Sequence, residues 1–431
     1  MVPKSKTQKH SQAGKSPYLP DLQSIYEAKR NINGIINQTP LLLNQNYSDL
    51  FQCKIYFKRE DLQKTRSYKL RGAFHKISLL DKEQLKKGIV CASAGNHAQG
   101  VALSCHELGV NGRIYMPVTT PKQKIKQVQM FGKNKVEIKL VGDTFDAAKE
   151  EALAYSKKNG SNFIPPFDDI NIIEGQATIG LEILEGLNES VDYLVVPIGG
   201  GGLIAGLISV FKQISPDTKI IGAEPLGAPS MQESIKAGKL VELDKINTFV
   251  DGAAVKMVGE ITFEICKNNI DEMVLVPEGK ICTTILKLYN EEALVVEPAG
   301  ALSISALDYL TDKIKGKNVV CIVSGGNNDI IRMEEIKERS MLYEKLMHYF
   351  LISFPQRPGA LKEFVADVLS DTDDIVHFEY KKKNNRTDGP ALVGIVVQNP
   401  EDIYSLLEKM NQRKIKYEYL NDQSDIFHYM L

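Results

Sequence analysis

The chain is 431 residues long, 43% hydrophobic and 25% charged, which allows two or three compact units and excludes global disorder and a fibrous repeat. Its 53 lysines and arginines balance 54 aspartates and glutamates, a net charge of -1, so no basic field points to nucleic acid or a membrane surface as a partner. Six scattered cysteines (Cys53, Cys91, Cys105, Cys266, Cys282, Cys321) without a C-x-x-C pair argue against a metal centre or disulfide framework, and with no apolar run of about 18 residues a soluble cytoplasmic protein is expected.

Residues 1–16 are rich in Lys, Gln, Ser and Gly, with no large aliphatic after Val2, and read as a disordered tail. From Leu22 to Ser324 short β-branched runs alternate with longer helical ones: IYF with SYKLRGAFHKI, GIVCA with HAQGVALSCHEL, GRIYMP with PKQKIKQVQMF, DYLVVPI with GLIAGLISVF. That alternation predicts βαβ units around mostly parallel sheets. The units cluster into two α/β lobes, so residues 17–329 are read as one core with a smaller lobe, approximately 60–165, inserted in it. A ligand is expected between the lobes. Residues 330–345 predict a helical linker, and 346–431 run strand, helix, strand, strand, helix, strand, the βαββαβ order of a ferredoxin-like domain.

In SYKLRGAFHKI, Leu70, Ala73, Phe74 and Ile77 keep the spacing of one buried helical face, and Ser67 is placed to cap the N-terminus. Lys69 then sits in the first turn at the edge of that face. Desolvation and the positive end of the helix dipole both lower the pKa of such an amine toward a nucleophile. A snorkelling surface lysine is the competing reading.

GIVCASAGNHAQGVALSCHELG is a strand, a small-residue turn (Ser93, Ala94, Gly95, Asn96) and a helix. Backbone N–H groups at such a helix start suit a carboxylate, although an ordinary βα loop with Asn96 as cap fits as well. His97 reads as a first-turn helical residue, not a base. DYLVVPIGGGGLIAGLISVF carries a buried strand into Gly199, Gly200, Gly201 and Gly202. Four consecutive glycines cost backbone entropy, and the usual gain is close approach of main-chain N–H groups to a phosphate. Gly200, Gly202 and Ala205 also fit G-x-G-x-x-[GA] with Glu224 downstream, which keeps a dinucleotide site open. KNVVCIVSGGNND places Ser324 at the carboxyl end of another strand, where ligands of open α/β sheets lie. Glu297, before Pro298, either lines the pocket or caps a helix.

Together, Ser67-Tyr68-Lys69-Leu70-Arg71-Gly72-Ala73, Ser93-Ala94-Gly95-Asn96-His97, the tetraglycine loop and Ser324-Gly325-Gly326-Asn327 resemble the fold type II pyridoxal-phosphate enzymes of the tryptophan synthase β family. More closely, they resemble the threonine dehydratases, or threonine ammonia-lyases, whose biosynthetic members carry a C-terminal ACT-like regulatory domain. The resemblance covers about Leu22 to the chain end. It implies that Lys69 carries pyridoxal 5'-phosphate covalently and, once released, takes the substrate Cα proton. It further implies that Asn96 contacts the cofactor ring hydroxyl, that Gly199, Gly200, Gly201 and Gly202 with Leu203 hold the phosphate, and that Ser324 bonds the pyridine nitrogen. The substrate carboxylate belongs in the nest of Ser93, Ala94, Gly95, Asn96 and His97. L-threonine is the implied substrate, eliminated to 2-oxobutanoate and ammonia at the start of isoleucine synthesis. Isoleucine is the implied feedback effector, acting through FPQRPGALKEF with Arg357 to Ala360 nominated, in a homotetramer.

Three alternatives remain at this point. A catabolic serine/threonine dehydratase needs the same core. An NAD(P)-dependent oxidoreductase accounts for the glycines but leaves Lys69 and Ser324 unexplained. A non-catalytic amino-acid sensor predicts loss of the lysine that is present.

Overall fold

The computed structural model describes residues 19–380 and 387–421; the tail assigned to residues 1–16 lies outside the described residues, as does 381–386 at the start of the polar loop. The chain divides into two compact units, the first running through Val276 and including Val296–Asn328, the second made of Pro277–Val295 and the residues from Asp329 onward.

The first unit is built on two sheets. Its six-stranded sheet runs in the order Leu41–Asn44, Lys54–Arg59, Asn318–Val323, Tyr193–Pro197, Lys219–Pro225 and Glu272–Val276, parallel throughout except at the first edge. A four-stranded parallel sheet orders Val136–Leu140, Gly112–Met116, Ile89–Ala92 and Asn162–Phe163. The unbroken apolar runs read from the sequence are what such strands require. Ile89–Ala92 is buried at every position because helices cover both faces. Each sheet has its own core, one around Val196, Leu207, Phe211 and Ile322, the other around Ile77, Cys91, Val101 and Ile114.

The helix Ile170–Gly186 starts where Asp169 accepts from the backbone N–H groups of Asn171 and Ile172. It crosses the helix Lys69–Ser78 at two glycines, where a Cβ on Gly175 would lie 2.6 Å from the Gly72 Cα. The backbones touch there, so any larger residue must push the helices apart, at a cost of about 1–3 kcal/mol. That contact fixes the helix that begins with Lys69.

In the second unit the helices Glu278–Glu292 and Met333–Tyr343 pack together, with the Thr283 and Ser340 hydroxyls 2.9 Å apart. The stretch read as a linker thus contains a packed helix, preceded by a short 3-10 turn at Ile330–Arg332. Beyond it lies an antiparallel sheet in the order Asp374–Tyr380, Asp388–Val396, Met347–Pro355 and Lys416–Tyr419, with helices Ala360–Asp367 and Asp402–Gln412. This is the expected βαββαβ arrangement, around a core that includes Phe350, Phe364, Ile395 and Met410. No described helix is long and apolar enough to cross a membrane.

Candidate active site

The segment leading into Lys69 is pinned to the loop that follows the strand Asn318–Val323. The Tyr68 N–H donates to the Ser324 carbonyl (3.2 Å), the Gly326 N–H donates to the Arg66 carbonyl (2.9 Å), and Ser67 bridges Gly325. These ties change the expected cap. Tyr68, not Ser67, is the N-cap residue, it makes no side-chain cap, and the Ser67 hydroxyl is buried without a partner. Lys69 opens the helix, and its ammonium donates to the Pro166 carbonyl at 2.9 Å, 5.9 Å from the centre of the Phe167 ring. Burial brings its pKa down to about 8, against an opposing pull from Glu297. The lowering expected from sequence is therefore present, with desolvation as its main cause.

The glycine loop lies against the same Pro166-Phe167 segment. A Cβ on Gly200 would sit 2.2 Å from the Phe167 ring, one on Gly202 3.0 Å from the Phe167 Cβ, and one on Gly199 3.0 Å from the Ala253 Cα. Gly201 has φ +92° and caps the helix Gly202–Ile214. Leu203 points into the core, so only its backbone faces the loop. The helix start is therefore built from glycines that neighbouring residues crowd and that bring no side chain of their own beside the main-chain N–H groups, which suits an anion.

At the next helix the cap is Gly95, and Asn96 is the first helical residue. The Ser93 hydroxyl accepts from the Gly95 N–H at 3.2 Å and closes the Ser93-Ala94-Gly95 turn. The Asn96 side chain caps nothing: its Nδ2 donates to Glu297 Oε1 (2.6 Å) and its Oδ1 accepts from Asn327 Nδ2 (2.7 Å). His97 holds the Ile164 carbonyl through Nε2 at 2.9 Å, and burial, helped by Lys69, lowers its pKa to about 3. A neutral imidazole fixed this way is a structural member of the helix start. Ser324 is buried at its strand end. Glu297 makes no side-chain cap at Pro298–Ser305; it turns to Asn96, and burial, then Asp251, raises its pKa to about 7.

The four motifs thus meet. Pro166-Phe167 separates Lys69 from the glycine loop, and Glu297 and Asn327 tie the Ser324 loop to Asn96. Pro166, Phe167 and Asn327 were not among the expected site residues; Asn327 was legible as the last residue of Ser-Gly-Gly-Asn, whereas nothing local marks the other two. The donor set fits pyridoxal phosphate: a glycine-built helix start for a phosphate, a lysine with its pKa lowered toward neutrality for an aldehyde, and an amide and a hydroxyl for a heteroaromatic ring. The unpartnered buried Ser67 Oγ and Asn327 Oδ1 beside them are the orphans expected next to a polar ligand. The set does not fit a dinucleotide. Glu224, the ribose candidate, is fully buried and accepts the N–H groups of Met231 (2.7 Å) and Gln232 (2.9 Å), capping the helix Ser230–Ala237.

Residues 32–325 match the family described as pyridoxal-phosphate dependent enzyme, and the chain belongs to that family, in its fold type II class. Residues 338–430 match the C-terminal regulatory domain of threonine dehydratase. Over 410 residues the chain is 55% identical to the "L-threonine dehydratase biosynthetic IlvA" of Halalkalibacterium halodurans, covering 95% of this chain and 99% of that one. It is 53% identical to the protein of the same name in Bacillus subtilis, covering 95% and 97%. Among solved structures it resembles the processed form of threonine deaminase isoform 2 from Solanum lycopersicum (TM-score 0.70, 41% identity, 78% of this chain and 99% of that chain). Maize serine racemase also aligns (TM-score 0.70, 31% identity, 76% and 99%).

Proposed function

We propose that this chain is a biosynthetic L-threonine ammonia-lyase that uses pyridoxal 5'-phosphate to convert L-threonine to 2-oxobutanoate and ammonia. The observation that carries the reading is the half-buried Lys69, its pKa lowered to about 8 by desolvation, sharing the Pro166-Phe167 segment with a glycine loop that admits no side chain. When bound, the cofactor supplies an electron sink for the bond broken at the amino-acid Cα. Lys69 would hold the cofactor, and its free Nζ would accept the substrate Cα proton. A base whose pKa is near the operating pH is the efficient one for that step, worth typically 10²–10⁴-fold.

Backbone N–H groups of Gly199, Gly200, Gly201, Gly202 and Leu203 would hold the phosphate, Asn96 would donate to the ring oxygen, and the Ser324 hydroxyl would serve the pyridine nitrogen. A neutral hydroxyl does not keep that nitrogen protonated as a carboxylate would, which favours elimination over transamination. The threonine carboxylate takes the turn and helix start from Ser93 to His97. With His97 neutral, recognition there rests on N–H groups and the Asn96 amide, not on a cation.

The second unit is the regulatory one. Isoleucine, the end product of the pathway, is assigned as its effector at the loop from Arg357 to Ala360, in a cytoplasmic homotetramer. Inhibition requires isoleucine to bind the low-activity state more tightly than the active one. The match of residues 338–430 to a regulatory domain favours this over a catabolic serine/threonine dehydratase. The test is 2-oxobutanoate release from L-threonine and from L-serine, with and without isoleucine. Faster threonine turnover that isoleucine suppresses is expected; isoleucine-insensitive turnover with serine preferred would contradict the proposal.

A further inference from the structure

Asn96, Asn327 and Glu297 form a hydrogen-bonded line whose direction is fixed at both ends. The Thr65 carbonyl can only accept, so Asn327 must turn Nδ2 toward it, at 2.9 Å. The second proton of that Nδ2 goes to Asn96 Oδ1 at 2.7 Å. Asn96 therefore turns its own Nδ2 the other way, to Glu297 Oε1 at 2.6 Å. An ionised carboxylate is again only an acceptor, so both ends of the line agree. Asn96 is left with its carbonyl consumed and one N–H still to give.

We infer that Glu297 and Asn327 are positioning residues, which lock the Asn96 amide in the orientation that offers an N–H to the ring oxygen of the bound cofactor. The inference rests on the assignment of Asn96 to that ring. An amide flipped by half a turn would set Oδ1 against the ring oxygen, acceptor against acceptor. Nothing in Asn96 itself prevents the flip, because its two ends have almost the same shape. Glu297 is itself fixed in place, since its N–H donates to the Gly325 carbonyl at 3.2 Å and a Cβ on Gly325 would lie 2.3 Å from its Oε1. The Ser-Gly-Gly-Asn run thus supplies Asn327 and also the space that Glu297 fills.

The lock is sensitive to pH. Asp251 and Lys124, themselves paired at 2.5 Å, face Glu297 from one side. Lys69 and Tyr68 interact with it from the other. Burial and Asp251 place its titration at about 7. Protonated Glu297 can donate as well as accept, so below that pH only the Thr65-Asn327 end of the line still dictates which way Asn96 faces, and the lock loosens.

The experiment is titration of pyridoxal phosphate into the cofactor-stripped full chain, following the absorbance of bound cofactor on both sides of pH 7, for wild type, Asn327→Asp and Glu297→Gln. In Asn327→Asp an acceptor replaces the donor, Asn96 turns over, and cofactor affinity falls on the order of tenfold. Glu297→Gln keeps an acceptor at Oε1, so affinity stays within about threefold of wild type, but the spectral change centred near pH 7 is lost. A residue with only a structural role would not remove that titration. If Asn327→Asp does not fold, the pH response of Glu297→Gln decides alone. Folded variants with wild-type affinity and an unchanged pH response overturn the inference. A wild type that binds no pyridoxal phosphate overturns the site assignment, and the inference with it.

Discussion

Arg71 grips Glu182 through two nitrogens, at 2.6 and 2.9 Å, and both side chains are buried. The same guanidinium holds Glu60 at 2.8 and 2.9 Å, and Lys58 reaches Glu182 at 2.5 Å. Two cations and two carboxylates thus balance in the interior, two residues along the helix from Lys69. Arg71→Met leaves Glu60 without the cation that grips it and Glu182 with Lys58 alone, so it should cost about 3–5 kcal/mol, read from urea unfolding. A loss below about 1 kcal/mol would show that water reaches the network.

Gly200 tests the cradle. Alanine there drives a Cβ into the Phe167 ring, and Phe167 lies 5.9 Å from the Lys69 amine. Gly200→Ala should weaken retention of pyridoxal phosphate by tenfold or more while costing about 1–3 kcal/mol of stability. Equilibrium dialysis of the cofactor measures the first and thermal unfolding the second.

The lowered pKa of Lys69 has a stability consequence in the cofactor-free protein. Below about 8 both folded and unfolded chains carry the proton, and the folded one bears the full cost of a desolvated ammonium, roughly 3 kcal/mol. Between about 8 and the ordinary 10.5 the unfolded chain binds more protons, so stability rises with pH. Lys69→Met should therefore be the more stable protein at pH 7, with a lead that shrinks as pH climbs through 8. Denaturant midpoints of the two proteins across that range check the sign.

Arg357 pairs with Glu363 at 2.5 Å, but both side chains are about half exposed, so water screens the pair and it adds little to stability. Arg357→Ala should leave the melting temperature and uninhibited threonine turnover nearly unchanged. If the loop binds the effector, the isoleucine concentration for half inhibition rises severalfold; an unmoved inhibition curve removes Arg357 from the effector site.

The helical face of Leu70, Ala73, Phe74 and Ile77 was legible because burial follows helical spacing, and all four are buried. The glycine run was legible because four glycines in a row weaken a turn unless a close backbone approach requires them. The start of the Lys69 helix was placed one residue early, since Ser67 is drawn off by a bridge to Gly325, far away in sequence. The same limit hides the polar wiring. Asn96 and Glu297 are 201 residues apart and Arg71 and Glu182 are 111 apart, so no local period reports either pair. Glu297 read either as a pocket residue or as a helix cap because it stands before Pro298; it does hold the N-cap position, and only its distant partner shows that the carboxylate turns to Asn96.

The most direct test is to load the full chain with pyridoxal phosphate, reduce it with borohydride, digest it and find the modified residue by mass spectrometry, with threonine turnover assayed before and after reduction. One pyridoxyl group is expected, on Lys69, with 2-oxobutanoate production that reduction abolishes and that Lys69→Ala lacks from the start. A pyridoxyl group on a different lysine, or threonine turnover surviving in Lys69→Ala, would contradict that expectation.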